Sequence, residues 1–232
     1  MKITLFIPTK NEIRGLKEIM PRIKKEWVDE FIIIDAHSTD GTREYLESLG
    51  LTVTQQKKPG SIAAWWEGFE AATGDIIIPF SPDNNSIPEV IPLLIEKIKE
   101  GYDIAIASRY AKGAKSEDDS WLTAFGNKMF TSMINLFFSG HYTDALGMYK
   151  AFRKELFFSL KLFERRNEIF ELIIAIRAAK KKLKIIDIPA DEPARLKGDI
   201  NKSRAWPGIF GRFKGGLYML RVIFKEFLFW NF

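Results

Sequence analysis

Phe31-Ile32-Ile33-Ile34-Asp35-Ala36-His37-Ser38-Thr39-Asp40-Gly41-Thr42 is the stretch that decides the fold. An apolar run rich in isoleucine, then polar residues and a glycine, reads as a strand buried on both faces that stops at a turn. Ile3–Pro8 upstream, and Leu51–Gln55, Asp75–Pro79 and Asp103–Ser108 downstream, read the same way. Between them Glu12–Lys24, Thr42–Leu49, Ser61–Ala72 and Pro88–Lys99 carry apolar positions at helical spacing. Strand and helix alternating in this order predict an α/β protein with a mainly parallel twisted sheet and helices on both faces.

The pattern changes after Ser108. Lys112–Ser120 is polar and charged, and the expectation is a mobile loop. Trp121, Phe125, Met129, Met133 and Phe137 recur every fourth residue, which predicts a long helix whose apolar stripe serves the core first and a membrane second. Ile169–Lys182 reads as another helix and Leu183–Ile188 as a strand closed by Pro189. From Trp206 to Phe232 nine of 27 residues are aromatic, against 13% in the whole chain. Between Arg195 and Lys225 eight residues are basic and only Asp199 is acidic. Aromatic and basic residues on one helical tail suit a membrane interface. Packing on the domain, or a homodimer contact, are the competing readings.

Composition excludes several classes. The 232 residues are 46% hydrophobic and 28% charged, which is globular usage and not that of a disordered or fibrous chain. Without cysteine there is no disulfide, thiol nucleophile or thiolate metal site, and two histidines leave no histidine-rich zinc centre. A net charge of +5 suits an anionic ligand or anionic lipid without requiring nucleic acid. The first twelve residues lack the apolar run of a signal peptide, and no 18-residue apolar stretch follows. The expected location is the cytoplasm, peripheral on the inner face of the membrane.

Ligands of open α/β sheets bind beyond the carboxyl ends of the strands. Those ends carry Pro8, Thr9, Lys10, Asn11 and Glu12, then Asp35, His37, Ser38, Thr39, Asp40 and Gly41, then Ser81-Pro82-Asp83-Asn84-Asn85. Neither glycine-rich phosphate cradle, G-x-G-x-x-G or G-x-x-x-x-G-K-[ST], occurs. A nucleotide diphosphate here would need a divalent cation and basic side chains. Mg²⁺ or Mn²⁺ keeps several waters, so one carboxylate plus the phosphates suffices. Asp83 is the candidate ligand, with Asn85 as helper, and a turn or helix-capping role for Asp83 stands beside that. Arg109 follows an apolar strand and is a candidate anion contact. Trp65 and Trp66 read as packing residues and His37 as an exposed loop residue.

The order of these motifs resembles family 2 glycosyltransferases, and within them the group containing dolichyl-phosphate mannose synthase. The resemblance runs through Ile7-Pro8-Thr9-Lys10-Asn11-Glu12, Ile34–Thr42, Gly74-Asp75 and the Asp83 loop. It continues through Ala107-Ser108-Arg109-Tyr110, Phe125-Gly126-Asn127, Tyr142-Thr143-Asp144, Ala151-Phe152-Arg153 and Phe170-Glu171-Leu172, ending at Asp191–Arg195. It implies a GT-A fold over residues 1–205, with 1–110 as the nucleotide-sugar half and 111–205 as the acceptor half, and 206–232 as a helical tail. It implies inverting transfer of a sugar from a nucleotide-diphosphate sugar to a polyprenyl phosphate or glycan, in cell-envelope glycan or glycolipid synthesis.

On that resemblance Pro8, Thr9, Asn11, Glu12, Asp35, Ser38, Asp40, Gly60 and Pro82 would line the nucleotide-sugar pocket. Asp83 takes the last place of the D-x-D metal motif, Arg195 and Lys202 would hold the diphosphate, and Arg109 an acceptor phosphate. Asp144 and Glu171 are the candidate bases for a hydroxyl acceptor. The chain departs from the pattern at Ser81 and Ala36, each standing where an aspartate is usual, and at Ala124, where many relatives have arginine. Two other readings remain open at this level: a nucleotidyltransferase, and a non-catalytic nucleotide-binding membrane module.

Overall fold

Strands with apolar side chains on both faces must be covered twice, and here they are. A computed structural model of the chain describes residues 1–196 and 208–229. The strands are β1 (Ile3–Thr9), β2 (Glu30–Asp35), β3 (Val53–Gln55), β4 (Ile76–Pro79), β5 (Ile104–Ser108), β6 (Lys150–Arg153) and β7 (Ile185–Pro189). The α-helices are α1 (Ile13–Ile19), α2 (Thr42–Ser48), α3 (Ser61–Ala71), α4 (Ile91–Lys99), α5 (Trp121–Phe138), α6 (Leu156–Ser159), α7 (Phe170–Lys180) and α8 (Gly208–Phe229).

The strands form one seven-stranded sheet in the order β3-β2-β1-β4-β6-β5-β7. Only β6 runs antiparallel, between β4 and β5. On one face Phe6, Ile34, Ile77, Ile106 and Phe152 pack with α3, α5, α7 and α8. On the other Leu5, Ile7, Ile33, Ile78 and Ala105 pack with α1 and α4. Thr9 stands opposite Asp35, and Ser108 opposite Pro189, so the parallel strands deliver their carboxyl ends to one edge.

Four expectations need correction. The strand β6 was not anticipated, because four residues with a basic residue at each end carry too little periodicity. The first helix ends at Ile19 rather than Lys24, since Pro21 turns Met20–Arg22 into a 3₁₀ segment. On α5 the core-facing residues are Phe130, Ile134 and Phe138, while Trp121 is 80% and Phe125 61% exposed. Four-residue steps turn 400° on a helix of 3.6 residues per turn, so the sequence stripe winds about 40° per step from solvent toward the core. Finally, Lys112–Ser120 is not loose. Glu117 N–H donates to Glu192 O at 2.8 Å, Glu192 N–H to Lys115 O at 2.9 Å, and Lys115 N–H to Asp191 Oδ1 at 2.9 Å.

The tail is helical as read, and α8 is docked by a buried charge. Fully buried Glu226 takes Arg165 Nη2 at 2.7 Å and Arg177 Nη2 at 2.9 Å on its Oε1. Arg177, itself buried, also donates to the Leu160 and Lys161 carbonyls at 2.8 and 2.9 Å. This pairing fixes α8 beside α5 and α7. Burial of this carboxylate is tolerable because three cations surround it, two arginines on Oε1 and Lys180 Nζ at 3.7 Å from Oε2.

At the opposite end of the sheet from the strand termini that carry the motifs, Glu30 ties β1 to the turn before β4. Its carboxylate accepts from Thr4 Oγ1 at 2.5 Å, Thr73 N at 2.9 Å and Thr73 Oγ1 at 2.7 Å. Burial by itself would raise this carboxyl, but those hydrogen bonds and Lys2 outweigh it and hold it down at about 2. A depressed carboxyl stabilises the fold fully above its unfolded value near 4.3, and the contribution is lost as pH falls toward 2. Glu30→Gln therefore lowers stability at pH 7 and flattens the acid limb between about pH 5 and 2, measured as the urea midpoint against pH.

Candidate active site

The loops after β1 and β2 are built as one surface. Asn11 and His37 adopt left-handed backbone, with φ of 56° and 59°, which turns each loop sharply back over its strand end. Asn11 N–H donates to Ser38 Oγ at 2.8 Å, and Thr39 N–H donates to Asn11 Oδ1 at 2.7 Å. Asp35 is buried and accepts from Ser38 Oγ at 2.5 Å and Ser38 N at 3.0 Å. Asp40 accepts from Thr42 Oγ1 at 2.6 Å and Ile13 N at 3.3 Å, while Thr42 Oγ1 accepts from Glu12 N at 2.9 Å. Thr9 Oγ1 is buried without a hydrogen-bond partner from the protein. His37 is exposed but tethered, its ring against Gln56 O at 3.1 Å and Gln55 Nε2 at 2.8 Å. Gly60 caps α3 at φ 103° and lies in the open.

The β4 loop is pressed onto α1. A Cβ on Gly15 would lie 2.0 Å from Pro82 O, so only glycine lets the Pro82-Asp83 backbone cross there. This brings Asp83, in the loop after the fourth strand, next to the loop of the first. Asp83 is buried. Ser81 Oγ donates to its Oδ1, and Arg195 Nε stands 3.0 Å from its Oδ2. Arg195 Nε also lies 3.3 Å from Asp118 Oδ2. The residue in the first aspartate position of the D-x-D pattern thus supports Asp83 rather than adding a second charge. Among the described residues no group of three or more His, Cys, Asp or Glu side chains converges as a metal cage. The donor set at this corner is one carboxylate already facing a cation, with the Asn85 amide in the same loop.

Beyond β5 the geometry centres on Arg109. Its Nε and Nη2 donate to Asp144 Oδ2 and Oδ1 at 2.7 and 3.0 Å, a two-pronged pair that leaves Asp144 fully buried. Its Nη1 reaches Glu192 Oε1 at 3.4 Å and Asp119 Oδ2 at 3.8 Å. Burial works against the guanidinium charge, but Asp144 and then Glu192 more than restore it, so Arg109 is held above its ordinary value. Tyr110 OH donates to Asp119 and accepts from Asn127 Nδ2 at 2.9 Å, tying α5 to this corner.

Two cavities meet there. A crevice of about 170 Å³ runs past Ser81, Asn85, Gly147, Asp191 and Arg195. A groove of about 660 Å³ lies between α5 and α8, lined by Phe125, Met129, Phe130, Phe213, Leu217 and Leu220. Arg109, Glu192 and Arg195 line both.

The structure thus brings Pro8, Thr9, Asn11, Glu12, Asp35, Ser38, Asp40, Pro82, Asp83, Asn85, Arg109 and Arg195 to one edge of the sheet. It does not bring the two candidate bases to the cavities. Asp144 spends both oxygens on Arg109, and Glu171, at the start of α7, lines neither cavity. Burial raises Glu171 and lowers Lys150, whose strongest opposing influence is Glu171 itself. Lys202 lies outside the described residues. Glu192, Asp118 and Gly15 were not singled out from sequence. The position of Glu192 just past a strand was the available signal for it.

With this geometry in hand, the relatives can be compared. Residues 4–159 match the model of glycosyl transferase family 2, and the chain belongs to that family. It is 32% identical over 210 residues to a dolichol-phosphate mannosyltransferase of Pyrococcus furiosus, covering 86% of this chain and 58% of that protein. It is 26% identical over 196 residues to an undecaprenyl-phosphate 4-deoxy-4-formamido-L-arabinose transferase of Proteus mirabilis, covering 79% and 58%. The chain therefore spans a little over half the length of these curated relatives. Among solved structures, glucosyl-3-phosphoglycerate synthase of Mycobacterium tuberculosis superposes with a TM-score of 0.65 at 17% identity. The alignment covers 96% of this chain and 79% of that one, in a complex with Mn²⁺, uridine diphosphate and glucosyl-3-phosphoglycerate. The shared fold is GT-A, and the proteins of this family and these relatives are glycosyltransferases.

Asp144 is thereby the counter-charge of Arg109, and its removal strands a buried cation. Asp144→Ala should cost about 3–5 kcal/mol in urea unfolding, and Asp144→Asn less, since the amide keeps one acceptor oxygen. A loss below about 1 kcal/mol in both would contradict the counter-charge assignment.

Proposed function

We propose that this chain is an inverting glycosyltransferase that moves a sugar from a nucleotide-diphosphate sugar to a polyprenyl phosphate, working at the inner membrane face in glycolipid or envelope glycan synthesis. The observation that carries this is the apolar groove between α5 and α8, which runs to the guanidinium of Arg109 beside the donor crevice. A long apolar trough ending at a buried cation matches a hydrocarbon chain with a phosphate head. The names of the Pyrococcus and Proteus relatives agree with that acceptor class.

In this mechanism the loops after β1 and β2 hold the nucleoside, with Thr9 and Asp35 facing it. A phosphate oxygen of the acceptor attacks the anomeric carbon, and the bond from that carbon to the donor diphosphate breaks with its electron pair staying on the diphosphate. Arg195 stabilises the charge that grows there, most strongly in the transition state. An acceptor phosphate is already anionic, so no general base is required, in keeping with Asp144 and Glu171 standing away from the cavities. A bound Mg²⁺ or Mn²⁺ would supply further charge neutralisation, and Asp83 with Asn85 would hold it. One carboxylate is enough for such an ion when phosphates and waters complete its shell.

The partly uncovered aromatic and basic side chains of α8 support the membrane part of the reading. Phe213, Leu217, Phe224, Phe227 and Phe229 are exposed together with Lys214, Arg221 and Lys225. No helix among the described residues is long and apolar enough to cross a bilayer. A helix of this kind lies in the interface, where aromatic and basic side chains bind anionic lipid.

A thermal-shift panel tests the donor half. Of UDP-, GDP- and dTDP-sugars, one base should stabilise the chain by about 2.7 kcal/mol at a hundredfold excess over its Kd. Addition of Mn²⁺ should increase the shift in the wild type and not in Asp83→Ala. With that donor, farnesyl phosphate should be converted to a glycosyl phosphoprenyl product. No shift from any nucleotide sugar, with or without metal, sinks the proposal.

A further inference from the structure

We propose that Asp118 and Glu192 are resident stand-ins for two phosphates, and that the segment Lys112–Ser120 is a self-inhibitory plug which donor and acceptor displace. The inference rests on the donor and acceptor reading above and names how that site is kept closed before its ligands arrive.

Arg109, Glu192 and Arg195 are the residues shared by the crevice and the groove. At this junction the chain neutralises its own cations. Arg195 Nε is shared between Asp83 at 3.0 Å and Asp118 at 3.3 Å. Arg109 gives two donors to Asp144 and turns Nη1 toward Glu192 Oε1 at 3.4 Å. The four carboxylates differ in what holds them. Asp144 is fully buried beneath Arg109, and Asp83 is buried in the β4 loop. Asp118 and Glu192 instead line the groove itself, where an incoming anion would lie.

Glu192 and the segment that carries Asp118 are joined by hydrogen bonds. Ser116 Oγ donates to Glu192 Oε2 at 2.5 Å and accepts from Asp119 N at 3.1 Å. Ser116 also forms a parallel β-bridge with Glu192. Asp119 leans on Arg109 at 3.8 Å. The segment is thus pinned at the junction by the same guanidinium groups that the reaction needs for phosphate.

A phosphate on Arg109 Nη1 cannot share that seat with the Glu192 carboxylate, because like charges at contact distance cost several kcal/mol. A diphosphate on Arg195 meets the same obstacle in Asp118. Either ligand must therefore push a carboxylate off its arginine, and doing so removes the Ser116 tie to the Glu192 carboxylate or the contacts of Asp118 and Asp119 with the arginines, loosening the segment on its remaining backbone bonds to Glu192. Such an arrangement keeps buried cations paired in the empty enzyme and makes groove opening depend on arrival of anions. It also makes Glu192 and Asp118 determinants of affinity without either being a catalytic residue.

The sign of the effect separates this role from a structural one. Calorimetric titration of the full chain uses UDP with Mn²⁺ as one probe and farnesyl phosphate as the other. Asp118→Asn should bind UDP with Mn²⁺ more tightly than wild type, and Glu192→Gln should bind farnesyl phosphate more tightly, each by about fivefold or more. Substitution of a residue that only props the site would weaken binding. In the wild type, hydrogen exchange at the Lys115, Glu117 and Asp119 amides should speed up when either probe is added, and this arm stands even if a variant fails to fold. Slower or unchanged exchange there, or unchanged or weaker binding by folded variants, overturns the plug while leaving the donor and acceptor reading intact. If neither probe binds any of the three proteins, the donor and acceptor reading fails and the plug falls with it.

Discussion

A guanidinium taken out of water has to be given opposite charge and hydrogen-bond acceptors, or the fold does not tolerate it. Arg109 is the place where this chain accepts that constraint. Two donors are spent on Asp144 beneath it, which fixes the plane and direction of the group. The third direction is left toward the junction of crevice and groove, where Glu192 and Asp119 lie at 3.4 and 3.8 Å. Asp144 comes from the segment before β6, so the antiparallel strand that interrupts the parallel sheet is also what delivers the counter-charge. The site and the sheet topology are consequences of each other here.

A second buried pairing does similar work at a distance. Glu226 locks α8 against Arg165 and Arg177, and through them against the turn that carries Leu160 and Lys161. With that face fixed, α8 turns Phe213, Leu217 and Leu220 toward α5 to line the groove, sets Phe224 and Phe227 against Phe137, and leaves Phe229 exposed. Apolar packing alone is directionally loose, whereas one carboxylate with several fixed cations sets a register. The groove beside Arg109 is therefore held in place by a charge cluster that lines neither cavity.

The competing readings are narrowed by family membership and by geometry together. Membership of glycosyl transferase family 2 is what sets the chain apart from a nucleotidyltransferase, and the apolar trough running to a paired arginine is what the proposed acceptor would use. The single carboxylate Asp83, supported by Ser81 and facing Arg195, marks where this chain departs from the common two-aspartate arrangement. The negative charge rests on one residue, and the neighbouring hydroxyl donates to it.

The residues by themselves determined the alternation of strand and helix, because isoleucine runs and helical apolar spacing are local signals that survive without tertiary context. They also determined which loops gather the polar candidates at one edge of the sheet, since polar clusters after strands are legible in order: Thr9 to Glu12, Asp35 to Asp40, Ser81 to Asn85. What only the tertiary structure decided is the partnership of each charge. Asp144 reads equally well as a base or as a counter-ion until Arg109, 35 residues away in the chain, is found against it. Lys112–Ser120 reads as mobile because its polar composition hides the backbone bonds to Asp191 and Glu192, 76 residues on. The strand β6 was too short for any period to show, and the stripe on α5 faced outward because its spacing of four overshoots the helical turn. Ion pairs and short interior strands such as β6 draw their energy from residues remote in sequence, and that energy exists only once the chain has brought them together.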